Sequence, residues 1–158
     1  MEDVDIFVIR DKDAEDYKRK SINKLATNVR QFFDNRIMEN TLEAMAEKAL
    51  PGEPEGNCHM IALGFMVDLI IAKQAKGWVW VKGLNANQKV HGKAWEHSWI
   101  EYDGFAIDAT VKQKENQNKL TISIGEVGYY YKARGITKVV KRRNAKQTQK
   151  WIFKHGGR

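Results

Sequence analysis

The run from His59 to Ala72, His-Met-Ile-Ala-Leu-Gly-Phe-Met-Val-Asp-Leu-Ile-Ile-Ala, sets the tightest limit on what this chain can become. It contains no proline, and its apolar residues fall on nearly every side of a helical wheel. A helix of that kind has no face to offer water, so the rest of the chain must cover it. Gly64 and Asp68 interrupt the run, and it is shorter than the roughly 18 apolar residues of a membrane span. The expectation is a buried central helix with Cys58 in its first turn. It starts just after the coil 51–57, where both prolines of the chain sit.

The flanking segments supply the cover. Between Asp13 and Phe33, the residues Tyr17, Ile22, Leu25, Val29, Phe32 and Phe33 recur at helical spacing, with Asp11 or Asp13 as the cap. A second helix is expected from about Asn40, with Thr41, Leu42, Met45, Ala46, Ala49 and Leu50 on one face. Ile6 to Ile9 reads as an edge strand or a docking arm. Beyond the central helix, Trp78 to Val81 has strand composition, and Leu84 to Lys93 reads as a loop or hairpin connection. Glu96 to Tyr102 and Phe105 to Thr110 read as strands closed by the turn Asp103-Gly104. Lys112 to Lys119 reads as a polar loop and Ser123 to Ala133 as a helix, although Tyr129-Tyr130-Tyr131 pulls toward strand. Thr137 to Val140 reads as a strand and Ala145 to Phe153 as a closing helix. Helices followed by hairpin-linked strands predict an α+β fold with a mostly antiparallel sheet. At 158 residues the chain is one domain in size. Its parts are an N-terminal helical part (1–54), a core (55–111) and a basic C-terminal part (112–158).

The formal charge is +7, and the excess is uneven. From Lys132 to Arg158 there is no acidic residue, while Lys132, Arg134, Lys138, Lys141, Arg142, Arg143, Lys146, Lys150, Lys154 and Arg158 are basic. A solvated basic face is the plain reading. An acidic partner or nucleic acid bound through 132–158 is the alternative. No named nucleic-acid motif occurs there, and stacking aromatics are few beyond the tyrosine triplet. A single cysteine excludes an internal disulfide. The acidic start Met1-Glu2-Asp3-Val4-Asp5 is unlike a secretory or mitochondrial leader, so a cytoplasmic protein without membrane attachment is expected.

Cys58 carries the chemistry. A helix start presents unpaired N–H groups and partial positive charge, which favour a thiolate and can hold an oxyanion. His97 opens a strand and Asp108 lies on its hairpin partner. If Asp103-Gly104 closes a tight hairpin, Glu101 pairs with Ala106 and Trp99 lies opposite Asp108. His97 and Asp108 then project from the same face, one diagonal step apart. An imidazole fixed by a carboxylate and placed near a thiol is the arrangement that nucleophilic catalysis requires. Other residues fit quieter roles. His59 points about 100° away from Cys58 around a helix, toward packing or the surface. His91 lies in a glycine-bearing loop. Zinc held by Cys58, His91, His97 and Asp108 lacks the paired short spacing of zinc ligands. Trp78 and Trp80 belong to the core, and Trp95 or Trp99 walls a cleft near His97. Glu101 and Asp103 are alternative carboxylates, Asp103 being explained by the turn.

Gly56-Asn57-Cys58-His59 opening an apolar helix, the strand Trp78 to Gly83, His97-Ser98-Trp99-Ile100-Glu101, and Gly104-Phe105-Ala106-Ile107-Asp108-Ala109-Thr110 together resemble the transglutaminase-like core of the papain-like cysteine enzymes. The resemblance covers Glu55 to Thr110. It implies a papain-like fold with Cys58 as nucleophile, His97 as general base and acid, and Asp108 as the orienting carboxylate. Asn57 is a candidate oxyanion donor, with an upstream backbone N–H as the other choice. No cofactor and no metal are implied. The implied substrate is an amide or ester, typically of a peptide or protein, acted on through a thioester. Hydrolysis by a protease, amidase or deamidase is expected over cross-linking, because water is the commoner acceptor. Ser98 stands where the pattern has alanine, Ala109 where it has proline, and His59-Met60 where it has Arg-Asp.

Overall fold

An all-round apolar helix needs cover on every flank, and the chain provides it with a sheet and neighbouring helices. The computed structural model describes residues 4–10, 16–47, 57–90, 92–114 and 117–155. In chain order the elements are β1 (Val4–Ile9), α1 (Asp16–Asp34), α2 (Glu39–Glu47), α3 (Asn57–Ile71), β2 (Trp78–Val90) and β3 (Lys93–Tyr102). There follow β4 (Phe105–Lys114), β5 (Gln117–Glu126), α4 (Val127–Arg134), β6 (Lys138–Arg143) and α5 (Ala145–Lys154). The six strands form one mixed sheet in the order β1-β5-β4-β3-β2-β6. β1 runs parallel to β5, and the other neighbours pair antiparallel. The fold is therefore α+β. The sheet extends well outside the segment 55–111, through β1, β5 and β6.

Alternation along the strands divides the apolar residues between two faces. On the first, Trp78, Trp80, Ile100, Phe105, Ile107 and Ala109 join Ile61, Phe65, Met66 and Leu69 of α3 and Ile22, Val29 and Phe33 of α1 in the main core. On the second, Val81, Trp99 and Ala106 pack with Tyr130 of α4. Asp68, the one charge within α3, has a specific partner. Its carboxylate accepts the backbone N–H of Asn40 and of Thr41, each at 2.8 Å, and the Thr41 hydroxyl at 2.7 Å. It thus caps the N-terminus of α2 from a different helix, where Met38 precedes the first turn and has no side-chain oxygen to cap with.

The β3–β4 hairpin forms as the turn signal predicts. Asp103 and Gly104 both have positive φ, 51° and 82°, as a two-residue primed turn requires. The ladder then runs Tyr102–Phe105, Glu101–Ala106 and Ile100–Ile107, and ends there. Both strands continue: β3 stays paired with β2 through Trp95 and beyond, and β4 stays paired with β5 as far as Lys114. The sheet is therefore forked between β3 and β4.

Several expected boundaries change. Leu84 to Val90 is strand rather than loop, being the outer part of β2. Residues 86–89 are exposed, so they carry no apolar alternation that would betray a strand. The segment 112–119 likewise belongs mostly to β4 and β5. Ser123 to Glu126 completes β5, and the helix expected over 123–133 begins only at Val127, ending at Gly135. Ile6–Ile9 is indeed an edge strand. The cap proposed at Asp11 or Asp13 and the coil 51–56 lie outside the described residues.

Candidate active site

Cys58 sits in the first turn of α3 and is 7% exposed. The first amides of a helix have no intrahelical partner, so the thiol lies at the positive end of the peptide dipoles. His97 and Asp108, both buried, project from the second face of the sheet. His97 Nε2 and Asp108 Oδ2 are 2.7 Å apart, joined across the fork just beyond the last β3–β4 pair. With Nε2 engaged, Nδ1 is the ring nitrogen left for the thiol. It is buried and bonds to no nitrogen or oxygen among the described residues.

The thiol and the imidazole alter each other's titration. Burial pushes the Cys58 thiol up, but hydrogen bonding to His59 and His97, together with their charge, outweighs it and brings the thiol from 9.0 down to about 6. For His97 burial acts downward, and bonding to Asp108 and Cys58 overcomes it, raising the imidazole from 6.5 to about 9. Between those values a thiolate faces an imidazolium, which is the reactive form of a cysteine nucleophile.

Asp108 is held by more than His97. Its Oδ2 also accepts the Tyr130 hydroxyl at 2.8 Å and lies 3.2 Å from Arg134 Nη2. A buried carboxylate is costly unless paired and hydrogen-bonded, and α4 supplies both donors. Burial and the neighbouring Asp108 charge push the Tyr130 phenol well up, so it acts as a donor. Sequence reasoning passed over these two residues. The signal was present: residues 130 and 134 are one helical turn apart and so share a face, once 127–134 is known to be helix.

The remaining expected site residues separate clearly. Trp95 is half-buried and stacks on His97 with ring centroids 4.7 Å apart. Trp99 is fully buried, stacked on His97 and tilted against Tyr130, with its N–H donated to Glu101 at 2.8 Å. It backs His97 and has no exposed surface, so of the two tryptophans expected near a cleft it is Trp95 that reaches the surface. Gly83 faces His97 across the β2–β3 ladder, and a Cβ there would run into the Trp99 ring. Glu101 is occupied by Trp99, Tyr131 and Arg142, and Asp103 is spent in the turn. His59 is half-buried on the first face of the sheet, where its Nδ1 bonds Ser98 Oγ. That is a packing position, one of the two expected for it. The side chain of Asn57 and residue His91 lie outside the described residues.

In the basic segment three arginines are engaged internally. Arg134 meets Asp108, Arg142 meets Glu101 and Tyr131, and Arg143 lies over the rings of Trp80 and Trp151 at 5.1 and 5.9 Å. Lys132, Lys138, Lys141, Lys146, Lys150 and Lys154 are exposed. Among the described residues no cluster of three or more His, Cys, Asp or Glu side chains could hold a metal ion. No helix there is long and apolar enough to cross a membrane. Comparison with protein-family models, with curated proteins and with solved structures finds no match.

Proposed function

We propose that this chain is a cysteine-dependent acyl-transfer enzyme of transglutaminase-like, papain-like type, acting on an amide or ester through Cys58, His97 and Asp108. One observation carries the reading: a thiol at a helix start, lowered to about 6, lies beside an imidazole whose far nitrogen is fixed by a buried carboxylate at 2.7 Å. The Cys58 thiolate attacks the carbonyl carbon, forming the C–S bond while the carbonyl oxygen takes the negative charge. N–H groups at the start of α3 are available to hold that oxyanion. Collapse breaks the bond to the leaving amine or alkoxide, which takes the proton from His97. Neutral His97 then takes a proton from water as the oxygen bonds to the thioester carbon; the C–S bond breaks, the acid leaves, and the Cys58 thiolate again faces protonated His97. An amine in place of water would give transfer; water, the commoner acceptor, gives hydrolysis. A cytoplasmic setting, in which a lone thiol stays reduced, suits this chemistry.

The alternative, a basic module binding nucleic acid or an acidic partner through 132–158, is less well supported. Arg134, Arg142 and Arg143 are each engaged by groups of the same chain, Arg142 while still exposed, which leaves dispersed lysines.

The direct test is reaction with p-nitrophenyl acetate followed by mass spectrometry of the intact protein. A burst of p-nitrophenol with one acetyl group on Cys58, lost in Cys58→Ala and strongly slowed in His97→Ala, is the expected result. Acetylation no faster than that of a free thiol would defeat the reading.

A further inference from the structure

Two of the positions at which this chain departs from the pattern it resembles are bonded to each other. His59 follows Cys58 where the pattern has arginine, and Ser98 follows His97 where it has alanine. His59 Nδ1 and Ser98 Oγ form a hydrogen bond. The residue after the thiol is thus tied to the residue after the imidazole, and the tie joins α3 to β3 directly beside the Cys58–His97 approach. Ser98 is 1% exposed, so water competes little for this bond. A ring so held has a fixed orientation, and it belongs to the residue next to the thiol. The hydroxyl thereby does for His59 what the Asp108 carboxylate does for His97, without the charge.

We propose that His59, oriented by Ser98, is a second imidazole partner of the Cys58 thiolate, so that thiolate formation does not rest on His97 alone. The proposal rests on reading Cys58 as the nucleophile. It divides the work: His97 passes the proton between leaving group and water, while His59 stays with the sulfur and eases its expulsion when the thioester is hydrolysed. The hydrogen bonding of both imidazoles to the thiol supports this division. The ionisable groups facing the site are Cys58 and His59 from α3, His97 from β3, Asp108 from β4, and Tyr130 and Arg134 from α4. On the Ser98 face, Lys82 and Glu96 neutralise each other in a 3.3 Å ion pair.

The test is the rate of Cys58 alkylation by iodoacetamide against pH in wild type, His97→Ala, His59→Gln and Ser98→Ala, with thermal unfolding recorded for each. The wild-type midpoint is expected near 6. In His97→Ala it should rise but stay about one pH unit below the ordinary thiol value of about 8.5. His59→Gln should raise it by about one pH unit, and Ser98→Ala should move it the same way by less. Ser98→Ala removes a single atom from a strand and decides the matter alone should His59→Gln lose its melting transition. The proposal is overturned, with the Cys58–His97 reading intact, if Ser98→Ala and His59→Gln titrate as wild type and His97→Ala titrates as an ordinary thiol. A wild-type midpoint near 8.5 would overturn both.

Discussion

Tyr130 donates its hydroxyl to the same Asp108 oxygen that His97 Nε2 holds, at 2.8 and 2.7 Å respectively. Helix α4, on the face of the sheet opposite α3, therefore reaches the ionisable pair through one carboxylate. His97, Tyr130 and Arg134 all converge on Oδ2 of this buried carboxylate, and its bond and charge raise the His97 imidazole.

A pH dependence of the proposed acyl transfer follows from this. In the proposed reaction, activity needs the thiolate and a protonated His97. The rate should rise as pH climbs through about 6, where Cys58 ionises, and fall above about 9, where His97 loses its proton. A profile of kcat/KM on an ester substrate from pH 4 to 10.5 checks both limbs. A single rise with no fall on the alkaline side would mean that His97 is not the acid.

Asp108→Asn keeps the size of the side chain and removes its charge. His97 loses the partner that holds its proton, so the alkaline limb should shift to lower pH and the rate should drop by about 10²–10⁴-fold. The same profile measured on the variant reads both effects. A loss of under about threefold would show that Asp108 is structural only.

Tyr130→Phe deletes one oxygen from a fully buried ring. The ring packing against Trp99 survives, while Asp108 loses a donor inside the protein. The expected cost is about 1–3 kcal/mol, read as a lower denaturant midpoint at unchanged slope.

Gly83→Ala should destabilise the protein by about 1–3 kcal/mol, because the added methyl displaces the Trp99 ring that backs His97. Thermal melting gives the cost. Slower alkylation of Cys58 in the folded variant would show that the displacement reaches His97.

The parts of the fold legible in the sequence are those governed by local rules. The central helix is written in its unbroken apolar run, and the β3–β4 register follows from two residues that accept positive φ at the turn. Register alone then brings His97 and Asp108 to one face. Leu84 to Val90 is not legible, because an exposed strand needs no apolar alternation. Tyr130 and Arg134 are hidden for another reason. Their partner Asp108 is distant in sequence, and the tyrosine triplet suits strand and helix equally. The helical angle at His59 does not say where the sheet lies, so its partner Ser98, which comes from β3, is not legible either.

Asp68 caps α2 from within α3, and this has a consequence for how the two helices behave together. α2 is nine residues long, too short to persist in water by itself, and its first amides find their acceptor on a different helix. Its helicity is conditional on α3 being docked. The two should therefore open and close as one cooperative unit in hydrogen exchange. Cys58 sits at the head of that unit, so the chemical reactivity of a single sulfur doubles as a gauge of whether a helix elsewhere in the chain is folded.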